Sequence, residues 1–248
     1  MAVTEETQLM KEALKEIVIP FLRENGFRGS MTNLRRTCGE RTDLICIYFK
    51  NIGNMAFSIT CAPIFPGREP LQKGANLSEV RYDPKEPLRM GSAWIIGHLP
   101  GYPDNRIGDF YYGHVYRYKH FYPDGRYRPQ YSSCTAKRLQ YEPWLEKDEK
   151  WEKLYEPDSA SCRLIAAEAL RQLKELMEQF DHTKTVRDWE EYCLTETLKS
   201  ASLDSWRPIE KTVDEWKEHH AADIDLIDRV YEQWKQKEYE KMLGEKQQ

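Results

Sequence analysis

The side chains best suited to chemistry fall on alternate positions of one stretch: Phe110, Tyr112, His114, Tyr116, Tyr118, His120 and Tyr122. An extended strand places residues i, i+2 and i+4 on one face, so a single strand would set all seven side by side. Arg117 and Lys119 would lie opposite. Pro123-Asp124-Gly125 is a turn signal, and Arg126 to Ser133 reads as the returning strand, with Pro129 suggesting an edge position. From Arg106 to Arg138, seven Lys/Arg stand against Asp109 and Asp124, a local charge of +5 and the one concentrated basic surface in the chain. The candidate partner-binding residues are therefore Tyr112, His114, Tyr116, Arg117, Lys119, His120, Arg126, Tyr127, Arg128 and Tyr131.

These residue types support more than one chemistry. Aromatics between cations can stack bases while the cations track phosphates, as single-strand binders do. His114 and His120 could act as general acid and base, because histidine titrates near neutrality. Tyrosine and arginine are also enriched in protein interfaces, and that is the reading taken here. The bland alternative is an aromatic face packed under helices, with the tyrosine hydroxyls reaching the rim. Elsewhere, His219 and Asp223 share a helix face, but no His-Glu-x-x-His or other closed ligand set completes a metal site. Asp223, Asp225 and Asp228 read as charged surface or a cap. Neither Gly-x-Ser-x-Gly, Gly-x-Gly-x-x-Gly nor a phosphate-loop lysine motif occurs. The expectation is no catalytic residue, no metal and no cofactor.

The elements around this stretch are legible as patterns. Leu9, Met10, Ala13, Leu14, Ile17, Phe21 and Leu22 recur at helical spacing, with Pro20 predicting a kink or a distinct last turn. Asn25-Gly26-Phe27 is a helix stop, and a basic first strand runs from Phe27 to Thr37. Asp43 to Cys61 reads as a central hairpin around Asn51-Ile52-Gly53-Asn54; its second strand has Met55, Phe57, Ile59 and Cys61 on one face and Ala56, Ser58 and Thr60 on the other. The apolar face needs a cover, which the first helix supplies. Pro63, Pro66, Pro70, Pro84 and Pro87 with Gly67, Gly74 and Gly91 make residues 63–91 a long loop. Ala93 to His98 is a short strand closed by Pro100-Gly101-Tyr102-Pro103. Residues 142–158, with seven Asp/Glu against three Lys, form a short helix or an irregular wrap. Helices follow at about 159–180, 186–198 and 209–234, the last with a break at 221–223.

A helix ending Pro20-x-Leu22-x-x-x-Gly26-Phe27, then a basic strand and two apolar strands at Leu44 to Lys50 and Met55 to Ile64, resembles the uncharacterised bacterial family catalogued as domain of unknown function 4304. The likeness is clearest over residues 9–66. Family members often carry Gln at the end of the second strand and Asn in the third, where this chain has Tyr48-Phe49-Lys50 and Thr60, so it is divergent. The resemblance implies no reaction and transfers no catalytic residue. Relatives of this kind include candidates among the small cytoplasmic proteins that neutralise bacterial toxins, which makes an immunity-type role the expectation attached to it.

A chain of 248 residues with 40% hydrophobic content can bury an ordinary core, and its formal charge of -4 is too mild for a whole-molecule nucleic-acid binder. The N-terminus lacks a basic, apolar leader, and no apolar run approaches the roughly 18 residues that span a bilayer, so a cytoplasmic protein is expected. Six scattered cysteines without a Cys-x-x-Cys pair read as reduced thiols. Strands first and helices later predict an α+β fold: an N-terminal helix packed on a mostly antiparallel sheet in residues 1–138, then a helical region in 139–248.

Overall fold

The computed structural model describes residues 3–39, 41–50, 55–65, 93–95, 97–99, 102–107, 109–121, 123, 125, 127–203, 209–219 and 224–245. It has the α+β architecture read from the sequence, an N-terminal helix with antiparallel sheets followed by helices. The loop expected at 63–91 lies outside the described residues from 66 onward, as do the hairpin turn 51–54 and the break at 221–223.

Helix α1 (Glu5–Glu24) opens on Thr4, whose hydroxyl accepts from Thr7 N, with Glu5 and Glu6 beside the positive end of the helix dipole. It continues through Pro20 to Glu24 and buries Met10, Ala13, Leu14, Val18 and Leu22. Its end is a Schellman motif: Gly26 N donates to Arg23 O at 3.1 Å and Phe27 N to Leu22 O at 2.9 Å. Gly26 has φ of 86°, which suits glycine, and the motif delivers Phe27 fully buried into the core.

The single strand expected from Phe27 to Thr37 is instead a hairpin, β1 (Arg28–Ser30) with β2 (Asn33–Cys38), because Met31-Thr32 closes a two-residue turn between Ser30 and Asn33. The sheet continues through β3 (Arg41–Lys50) and β4 (Ala56–Ile64) to β5 (Ala93–Ile95). Strand β4 is buried on both faces, Ser58 and Thr60 included, so its second face is interior rather than half-solvated. The strand expected at Ala93 to His98 divides: β5 joins the large sheet, while β6 (Gly97–Leu99) pairs with β7 (Tyr102–Ile107), a strand that takes in Tyr102 and Pro103 of the expected turn.

Strand β8 (Phe110–Tyr111) pairs with β4, whereas β9 (His114–Phe121) lies between β10 (Tyr127–Cys134) and a later strand, β11 (Trp151–Tyr155). Helices α2 (Ala136–Tyr141) and α3 (Trp144–Lys147) connect β10 to β11. The acidic stretch is thus a short helix followed by an edge strand, since β9 offers a hydrogen-bonding edge that local sequence does not reveal.

The chain divides into two compact units. The first holds residues 1–38, 43–61 and 94–177, including α1, most of the large sheet and the β10–β9–β11 sheet. The second holds 39–42, 62–93 and 178–248. Helix α4 (Ser159–His182) starts at Asp158, whose carboxylate accepts from Ser161 N at 2.7 Å. In the second unit, α5 (Val186–Leu203) begins with a reciprocal cap, Thr185 N to Asp188 at 2.8 Å and Asp188 N to the Thr185 hydroxyl at 3.2 Å. Leu194 and Leu198 of α5 pack with Ile209 and Val213 of α6 (Ile209–His219) and with Leu226, Ile227 and Val230 of α7 (Ile224–Glu245).

Candidate functional site

Gly113 interrupts the alternating row of aromatics and histidines. A Cβ there would lie 2.5 Å from Ser133 Oγ, 2.6 Å from the Cys134 carbonyl oxygen and 2.7 Å from Met55 Cβ, so only glycine lets the strands close up. Gly113 N donates to Ser133 Oγ at 2.9 Å, Met55 N to Ser133 O at 3.2 Å and Tyr112 N to Met55 O at 2.9 Å. The row therefore belongs to two sheets rather than one face: Phe110 pairs with Phe57 of β4, and His114 with Cys134 of β10. Tyr112 is fully buried, its hydroxyl 3.1 Å from that of Thr7 on α1. Burial raises its pKa, while the Thr7 hydrogen bond opposes part of the rise.

Within β9 the expected alternation holds. Tyr116 is fully buried against Cys134, Leu139, Leu145 and Trp151, with the Trp151 ring 6.5 Å away, and Tyr118 lies 4.3 Å from the same ring. The Tyr116 hydroxyl has no hydrogen-bond partner among the described residues, and burial pushes its pKa up to about 12 against the smaller opposing pull of Lys153. At the rim, His114 Nδ1 lies 2.6 Å from Glu156 Oε2, a close approach that does not meet hydrogen-bond geometry. Glu156 also pairs with Lys153, whose Nζ donates to Glu146 at 3.1 Å. Burial works against the Lys153 charge, but hydrogen bonds to Glu156 and Glu146 outweigh it and hold its pKa above the ordinary lysine value.

On the other face, Arg117 Nε donates to Glu152 at 2.9 Å across the β9–β11 register. Tyr131 is half-buried and packs on Val115 with Tyr111, Leu154 and Tyr155. Lys119, His120 and Phe121 are exposed at the far end of β9, Phe121 to 64%. Arg126 lies outside the described residues, as do the side chains of Tyr127 and Arg128, whose backbone positions pair with Phe121 and His120. The structure thus separates the candidates into a base, with Tyr112 and Tyr116 buried and His114 at its rim, and an exposed tip at Lys119 and His120, joined there by Phe121. His114 and His120 are not brought together.

Sequence reasoning missed Glu146, Glu152, Lys153 and Glu156 as neighbours of the basic strand. The available signal was charge, an acidic stretch following a basic one, but no spacing rule sets its register. Among the described residues no group of three His, Cys, Asp or Glu is placed to hold a metal ion, and Asp223 and the His219 side chain fall outside them. Cys38, Cys46, Cys61, Cys134 and Cys162 are not in disulfides. No described helix is long and apolar enough to cross a membrane. No family model matches the chain, and neither the curated proteins nor the solved structures contain a match to it.

Proposed function

We propose that this chain is a non-enzymatic protein-binding module that meets its partner with the outer end of the β9–β10 hairpin. The observation that carries this reading is Phe121, a large apolar side chain 64% exposed on a strand whose neighbours Lys119 and His120 are also exposed. A protruding aromatic flanked by polar residues is the composition of an interface anchor. A phosphate backbone laid along β9 would run beside Glu152, Glu146 and Glu156, which disfavours nucleic acid as the partner. The narrower form, a protein that neutralises a bacterial toxin in the cytoplasm, draws support from the N-terminal resemblance. Co-expression with the gene immediately upstream tests both. Co-purification of the two products, lost on Phe121→Ala, is the expected result; an upstream product that never co-purifies counts against the toxin form, and retention by Phe121→Ala counts against the hairpin.

One observation favours a second reading. His114 and Glu156 have the carboxylate–imidazole proximity of an acid–base pair, and the Glu156 carboxylate is half exposed to water. A turnover found with any hydrolase substrate and abolished by His114→Ala would support it, whereas unchanged turnover in that variant would end it.

A further inference from the structure

The turn at Met31-Thr32 lays Arg28 of β1 directly opposite Arg35 of β2. By alternation Arg28, Ser30, Asn33, Arg35 and Thr37 share the outer face of this hairpin, and all five are exposed. The inner face differs. Leu34 is buried there, and Arg36 has an internal carboxylate, its Nε and Nη2 donating to the buried Asp43 Oδ2 at 3.0 and 2.9 Å. On the outside a third arginine joins the opposed pair. Arg23, in the last turn of α1, donates through Nη1 to Phe27 O at 3.0 Å, and Arg28 Nη1 donates to the same oxygen at 2.9 Å and to Arg23 O at 3.0 Å. Arg23 Nη2 also donates to Gly29 O. Two guanidiniums therefore converge on one carbonyl oxygen, with Arg35 opposite one of them. Among the described residues Arg23 and Arg28 meet carbonyl oxygens and no carboxylate, while Arg35 makes no hydrogen bond or ion pair. Like charges set directly opposite cost stability, and Arg35 holds no bond that would offset that cost.

We propose that Arg23, Arg28 and Arg35 form a receptor for a phosphoryl group, and that the outer face of the β1–β2 hairpin binds a protein segment carrying phosphoserine or phosphothreonine. The site does not require Arg23 and Arg28 to give up their present bonds. A guanidinium has five N–H groups, and the carbonyl oxygens take two from each of these arginines, so the rest of each fork is open to an incoming acceptor. Convergence decides the ligand class. A phosphomonoester brings about two negative charges and three acceptor oxygens to one point, which suits arginines gathered at one place and their bidentate geometry. A nucleic-acid backbone instead spreads single charges along a line, and these arginines lay out no track for it. The exposed Ser30 and Thr37 on the same face offer neutral hydrogen bonds to the residues flanking the phosphate. This surface lies on other strands than Phe121, and the inference stands without the β9–β10 reading.

The test uses the full chain and two fluorescein-labelled degenerate peptide pools, one with phosphoserine fixed at the centre and one with serine there. Fluorescence anisotropy should show the phosphorylated pool binding about tenfold or more tightly than the serine pool, and about tenfold more weakly to Arg35→Glu than to the parent. Arg35→Gln should lose affinity in the same direction. Arg35→Glu places a carboxylate opposite Arg28, so it should melt no lower than the parent, which separates loss of the site from loss of the fold. Phe121→Ala should bind the phosphorylated pool as the parent does. Equal binding of the two pools, or unchanged binding by Arg35→Glu and Arg35→Gln, overturns the proposal. So does inorganic phosphate binding as tightly as the pool, loss of pool binding in Phe121→Ala, or preferential, steeply salt-dependent binding of an oligothymidylate.

Discussion

The Tyr116 hydroxyl is buried beneath α3 with nothing to bond among the described residues, so the phenol pays desolvation without recovering a hydrogen bond. Tyr116→Phe removes that group and keeps the ring against Trp151 and Leu145. The variant should be as stable as the parent or more so, by up to about 1–2 kcal/mol, in urea denaturation. A loss of stability would mean that the hydroxyl is bonded in solution. Gly113, three residues earlier, is a residue whose importance depends wholly on distant neighbours. Within Tyr-Gly-His it reads as an ordinary strand position, and only the approach of Ser133, Cys134 and Met55 makes a side chain there impossible. The face predicted to carry seven side chains broke at this residue for that reason.

At the scale of elements, β11 is held to β9 by its ladder and by charges at both faces, Arg117–Glu152 on one and the Glu146–Lys153–Glu156–His114 chain on the other. Glu156 joins two of these contacts, so Glu156→Gln should speed amide exchange at Trp151 to Tyr155 while leaving α1 unchanged. The effect should stay below about 1 kcal/mol, because Glu156 is half exposed and solvent screens it. Unchanged exchange in β11 would show that the ladder alone holds the strand. The contrast with α1 shows what a sequence reveals. Its stripe, its stop at Gly26 and the turn of Phe27 into the core follow from bonds spanning three to five residues, and the β9–β10 hairpin is likewise local. The β11 pairing joins residues 33 or more positions apart, and Trp-Glu-Lys-Leu-Tyr has too short an alternation to announce it. Of the candidate residues, the exposed tip was legible as basic surface, and the burial of Tyr112 and Tyr116 against α1 and α3 matches the alternative of an aromatic face packed under helices, which the local pattern offered but could not select.

Among the described residues, most of the groups that burial disfavours as anions lie in the first unit, with Tyr231 in the second. Tyr116 is raised to about 12 and Cys134 and Cys162 to about 11, while Tyr111, Tyr112 and Tyr155 also rise, each mainly through desolvation. The folded state therefore keeps protons that the unfolded chain has released, and stability falls as pH rises wherever that difference exists. These groups should leave melting temperature level up to about pH 9 and lower it steadily toward pH 12, less steeply in Tyr116→Phe. An unchanged melting temperature through that window would contradict their burial. The central claim, that the hairpin tip engages a protein through Phe121, is tested most directly by measuring the affinity of the co-purified partner for the parent chain, Phe121→Ala and Lys119→Ala. The account predicts that Phe121→Ala costs about 2 kcal/mol or more and acts on dissociation, while Lys119→Ala costs less and acts mainly on the rate of encounter. A Phe121→Ala variant that binds as tightly as the parent would contradict it.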